Sequence, residues 1–152
     1  MDAKVLARDL FLKGEDLKAG EMLAKAVPAQ EQPRWAANLL ELVAYQYPVP
    51  QTVSELIKVA KDPKKWPSAR TLFGELRNKL LEIEKTPSKF EQHLVGVLYL
   101  AENVAKLTYN ASGGSAPYDA DSAWWIPQNV RYVLEHSEHR IDRDRLLAAL
   151  FG

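Results

Sequence analysis

Along almost the whole chain apolar residues recur at steps of three and four, and prolines or glycines interrupt the pattern before any one stretch runs far. A period near 3.6 marks helices that bury one face, and no segment alternates apolar and polar residues as a half-buried strand would. The expectation is an all-α fold, either a single-domain antiparallel helical bundle or a short αα-hairpin array of about seven to eight helices. At 152 residues the chain is long enough for one domain with a substantial core.

The punctuation gives the elements. Val5, Leu6, Leu10 and Leu12 predict a first helix that stops at Gly14, and Leu17, Met22, Leu23, Ala26 and Val27 a second that stops at Pro28. Trp35, Leu39, Leu42 and Val43 line a third, with Pro33 near its start and Pro48 ending it. Thr52 and Glu55 have capping-box spacing, which predicts a short helix running to Asp62 before Pro63. The cleanest amphipathic pattern opens at Pro67 and places Ala69, Leu72, Phe73, Leu76, Leu80 and Ile83 on one face up to Lys85. Ser88 and Glu91 repeat the capping-box spacing. The stretch that follows is apolar over more than half its circumference, as expected of a central helix, with Gly96 letting a neighbour come close.

After it, NASGGSAPYDADS concentrates turn formers, so residues 110–122 are expected to be a mobile loop. A helix follows Pro127 and a last one starts near Asp142. The parts are thus a hairpin-like region, 3–62, central helices, 67–109, the loop, and C-terminal helices, 123–151.

Residues 3–62 carry a family resemblance. Leu6, Ala7 and Leu10, then Gly14 at a turn, then Ala19, Leu23 and Ala26, resemble one helix-turn-helix unit of the tetratricopeptide family, in which small and medium residues let antiparallel helices pack closely. Advancing by that family's period of about 34 residues sets Pro48, Val53, Ile57 and Ala60 on Gly14, Ala19, Leu23 and Ala26. The match departs where Glu41 falls on Ala7 and where Ala3 replaces a large aromatic. The resemblance implies stacked hairpins and a protein-binding scaffold.

Charge narrows the function classes. Basic and acidic residues number 20 each, so no global field gathers nucleic acid or an anionic membrane. Cysteine is absent, which removes thiol nucleophiles, disulfides and cysteine-ligated zinc. The N-terminus lacks the apolar core of a signal peptide, and a soluble, cytoplasmic protein is expected.

Three constellations carry possible chemistry. Arg131 and His136 fit the Arg-x4-6-His signature and so resemble the HEPN-type ribonucleases, which would imply metal-independent RNA cleavage. On one helix these side chains diverge by about 140°, so that reading needs a kink or a second subunit. The alternative is structural: Val130, Val133, Leu134 and Ile141 form a buried stripe, with Arg131, Glu135 and His139 a charged ladder on its flank. His136 and His139, with Glu135 or Glu138, lack the further ligands that zinc needs, and no metal or cofactor is expected. His93 falls on an apolar helix side, as a core histidine does.

The second constellation is KVAKDPKKWPSAR, where Lys58, Lys61, Lys64, Lys65 and Arg70 surround Trp66. It reads either as a nucleic-acid surface, cations gripping phosphate beside a stacking ring, or as a solvated turn with Trp66 tucked inward. The third is Tyr118, Trp124 and Trp125. Adjacent tryptophans on a helix point about 100° apart, so one core can hardly bury both, and an exposed one is a suitable protein anchor. The expected function is a non-enzymatic protein-binding module, an adaptor, assembly subunit or toxin-neutralising inhibitor. A ribonuclease and a nucleic-acid-binding subunit are the alternatives.

Overall fold

The computed structural model describes residues 2–44, 48–85, 92–136 and 141–152. Among them the fold is all-α: eight α-helices, two 3-10 helices and no strand. The capping-box pair Ser88 and Glu91 lies outside the described residues, as do Glu138 and His139.

Helix α1, Ala3–Leu12, starts where Asp2 accepts the Lys4 amide and ends at Gly14, whose φ of +85° is open only to a residue without strain in the left-handed region. There the Glu15 amide donates to Leu10 O and the Gly14 amide to Phe11 O, the two bonds of a Schellman cap. The chain reverses into α2, Asp16–Ala26, and the expected hairpin forms. Its buried row is only partly the expected one: Leu23 and Val27 are buried, and Leu10 and Met22 pack against the core. Ala7 and Phe11 face inward on α1, while Val5, Leu12 and Leu17 are exposed, because a stripe of helix can bury only the side that meets a neighbour.

Helices α3, Gln32–Ala44, and α4, Gln51–Lys61, form the second hairpin. The capping box expected at Thr52 is absent. Pro50 sits at the cap position, which places Thr52 inside the first turn, where its hydroxyl donates to Glu75 on the next helix at 3.3 Å. Pro63–Ser68 is a 3-10 helix and not the start of α5, which runs Ala69–Lys85, since Pro67 interrupts the α ladder.

Helix α6, Gln92–Ala111, is the hub, packing on α3, α4 and α5 and on α7, Ile126–His136. A β-carbon on Gly96 would stand 2.7 Å from the Tyr132 ring and 3.0 Å from Val133, so the glycine is what lets α6 and α7 approach. Helix α8, Arg143–Phe151, begins at Asp142, whose carboxylate accepts the Arg145 amide, and returns to α1, with the Phe11 and Phe151 rings 5.5 Å apart.

Successive hairpins do not stack as the tetratricopeptide resemblance implies. Instead α2 packs on α7 and on the 3-10 helix Ala120–Trp125, while α3 packs on α6 and α8. A bundle wrapped around α6 replaces the array. No helix among the described residues is long and apolar enough to cross a membrane.

Candidate functional site

The two tryptophans lie on the 3-10 helix Ala120–Trp125, where about three residues make a turn, so their side chains diverge by about 120°. Neither is fully buried. Trp124 is half-buried and Trp125 is 39% exposed, although one of the pair was expected in the core. What goes inward is backbone: a β-carbon on Gly20 would stand 1.9 Å from the Trp124 carbonyl oxygen. Helix α2 thus seats directly on the peptide of Trp124. The platform under Trp125 is fixed by this contact and by buried Ser122 and Ala123, Ser122 Oγ donating to Asp119 O at 2.9 Å.

The loop before it is shorter than expected, 112–119, because α6 extends through Ala111 and the 3-10 helix begins at Ala120. It is also held down. The Asn110 side chain brackets Tyr118, accepting its amide at 2.7 Å and donating to its carbonyl at 3.0 Å. Tyr109 Oη donates to Ser115 O at 2.6 Å, and Arg70 donates to Ala116 O at 3.2 Å, where Ala116 has a φ of +55°. The Tyr118 ring packs against Phe73 at 4.8 Å and edge-on to Tyr109 at 5.7 Å, and burial pushes its phenol pKa up. Tyr118 therefore fastens the loop to α5 and α6, and Trp125 is the more available side chain.

Arg131 does not join a charged ladder along α7. Its Nε donates to Asp16 Oδ2 at 2.7 Å, its Nη2 donates to Phe11 O, and its guanidinium lies 4.3 Å from the centre of the Phe11 ring. It ties the α1–α2 turn to α7. His136 goes elsewhere, its ring tilted against that of Tyr132 with ring centres 4.3 Å apart. The two residues of the ribonuclease-like spacing are thus held by different neighbours. No group of three or more potential metal ligands occurs among the described residues. His93 is half-buried.

The basic segment also divides. Trp66 is buried and its indole N–H donates to Ala60 O at 3.0 Å, so its ring is not offered to a base. Lys61 pairs with Glu41 at 2.6 Å, and Arg70 turns toward the loop, over the Tyr109 and Tyr118 rings. Lys58, Lys64 and Lys65 are exposed; Lys58 and Lys65 share a hollow with Glu55 and Glu75, whose charges oppose theirs.

Sequence reasoning missed a seam along α5 and α6. Arg70 meets Tyr109, Lys106 lies over Phe73 at 5.3 Å, Arg77 pairs with Glu102 at 3.3 Å, and Tyr99 Oη donates to Glu84 at 2.8 Å. Glu102 is buried, and desolvation raises its pKa more than Arg77 lowers it. The hydrogen bond to Glu84 raises that of Tyr99. The signal was present as polar residues at helical spacing on both α5 and α6.

Comparison with family models, curated proteins and solved structures gives no match.

Proposed function

We propose that the chain is a non-enzymatic protein-binding module, an adaptor, assembly subunit or toxin-neutralising inhibitor, with Trp125 as its anchor. The observation that carries this reading is the exposure of a large aromatic on a platform that is already fixed. An anchor held in place before binding loses little entropy when it is covered, and buried tryptophans dominate interface energies. Tyr118 serves as a strut that orders the loop beside it. The reading is favoured over a ribonuclease because the Arg131 guanidinium already carries a carboxylate, a carbonyl and an aromatic face. It is favoured over nucleic-acid binding because Trp66 is inside, Lys61 and Arg70 are engaged by Glu41 and by the loop, and Lys58 and Lys65 share their hollow with Glu55 and Glu75.

The test is affinity capture from a lysate of the source cells with wild type and Trp125→Ala side by side. A protein retained by wild type and lost by a variant of equal melting temperature supports the reading. Equal capture by both, or metal-free RNA cleavage that vanishes in Arg131→Ala and in His136→Ala, contradicts it.

A further inference from the structure

The outward face of α1 is unusual in both its apolar and its charged residues. Val5 and Leu12 are 49% and 51% exposed, and Leu17, just beyond the turn at the Leu12 end, is 41% exposed. On a helical wheel Leu12 falls about 20° from Val5, with Arg8 about 60° to one side and Asp9 about 40° to the other. Ala7 and Phe11, which enter the core, lie opposite. The outer stripe is therefore apolar along its middle, cationic on one flank and anionic on the other. Arg8 and Asp9 are exposed, and neither has an ion pair or side-chain hydrogen bond among the described residues.

Such a stripe is complementary to itself in one arrangement only. A twofold axis perpendicular to the helix pairs antiparallel copies flank to like flank, setting Arg8 against Arg8 and Asp9 against Asp9. With the twofold axis parallel to the helix, each flank meets the opposite one. Arg8 of one copy then faces Asp9 of the other, twice, and Val5 and Leu12 each meet their own counterpart along the middle. The formal net charge of zero adds no overall repulsion between copies.

We propose that the α1 face is a homodimer contact in which two copies pack their first helices in parallel through Val5, Leu12 and the Arg8–Asp9 pairs. Val5, Arg8, Asp9 and Leu12 are on α1 and Trp125 is on the 3-10 helix, so the variants that test this contact leave the partner-binding anchor in place. A helix of ten residues is about 15 Å long and buries less than a standard interface, so the dimer is weak and reversible, with a dissociation constant on the order of 100 µM.

Sedimentation velocity of the full chain from about 10 µM to about 1 mM tests it. Wild type should show concentration-dependent dimerisation. Arg8→Asp alone and Asp9→Arg alone should each associate at least about tenfold more weakly, since each makes both flanks alike. An equimolar mixture of the two should recover association, because every pair across that mixed dimer is opposite in sign. The direction of packing is read by cysteine variants, the native chain having none. Oxidised Leu12→Cys should form a disulfide dimer. A wild type that stays monomeric throughout overturns the proposal. So do charge variants that associate as wild type does, or cross-linking confined to mixtures of Val5→Cys with Leu12→Cys, which would mean antiparallel packing.

Discussion

Gly20 on α2 and Trp124 on the 3-10 helix meet with no room for a side chain, the Trp124 carbonyl oxygen standing 1.9 Å from where a β-carbon of Gly20 would be. Backbone cannot swing aside as a side-chain tip can. Two elements separated by about a hundred residues are thereby seated on one another at main-chain distance, and the position of Trp125 follows from that seating.

Gly20→Ala should therefore destabilise the fold by about 3 kcal/mol, overpacking outweighing the roughly 1 kcal/mol of helix propensity that alanine offers. Gly74→Ala is the control. Gly74 lies in α5 with nothing within 4 Å of its β position, and the same substitution there should stabilise by up to about 1 kcal/mol. Denaturant midpoints of the two variants should move in opposite directions. Similar shifts would mean that the α2 contact is looser than described.

Arg131→Met should cost about 2 to 3 kcal/mol, because it leaves the Asp16 carboxylate, only 11% exposed, without its cation and the Phe11 carbonyl without its donor. Replacing both partners, Asp16→Asn with Arg131→Met, should recover part of that loss. Additive losses in the double-mutant cycle would show that the pair does not couple.

Glu102 gives a pH signature. Its folded-state pKa is raised, chiefly by burial, so the folded chain binds the proton more tightly than the unfolded chain. Stability from this group is greatest at pH values below the unfolded pKa, and is lost as pH rises through the folded pKa. Glu102→Gln should flatten that dependence, so wild type should gain on the variant as the pH is lowered from neutrality toward about 4. Unfolding curves across that range measure the difference. A difference that grows as pH rises would mean that the Arg77 pair outweighs desolvation.

The all-α class and most element boundaries could be read from the sequence because period and punctuation are local properties. Gly14, Asp142 and the role of Gly96 follow from caps and crowding that neighbouring residues announce. Which face each helix buries did not follow as well. Val5, Leu12 and Leu17 have the same apolarity as core residues, and only the placement of α7 and α8 against α1 and α2 leaves them outside. Thr52 was misread because Pro50 takes the cap two residues early, a choice between two permitted starts. At the candidate site, the spacing of Arg131 and His136 was visible. The partner of Arg131, Asp16, lies 115 residues away and has no local signature. Gly20 gave only the weak sign of a glycine inside a helical pattern, whereas its meaning depends on the Trp124 backbone.

The most direct test of the central claim is the affinity of the captured partner for wild type and for Trp125→Ala, measured by titration calorimetry beside the melting temperature of each. An exposed, pre-positioned anchor predicts a loss of about 2 kcal/mol or more, roughly thirtyfold in dissociation constant, with the melting temperature nearly unchanged. Unchanged affinity, or a loss of affinity only in step with a loss of stability, would contradict it.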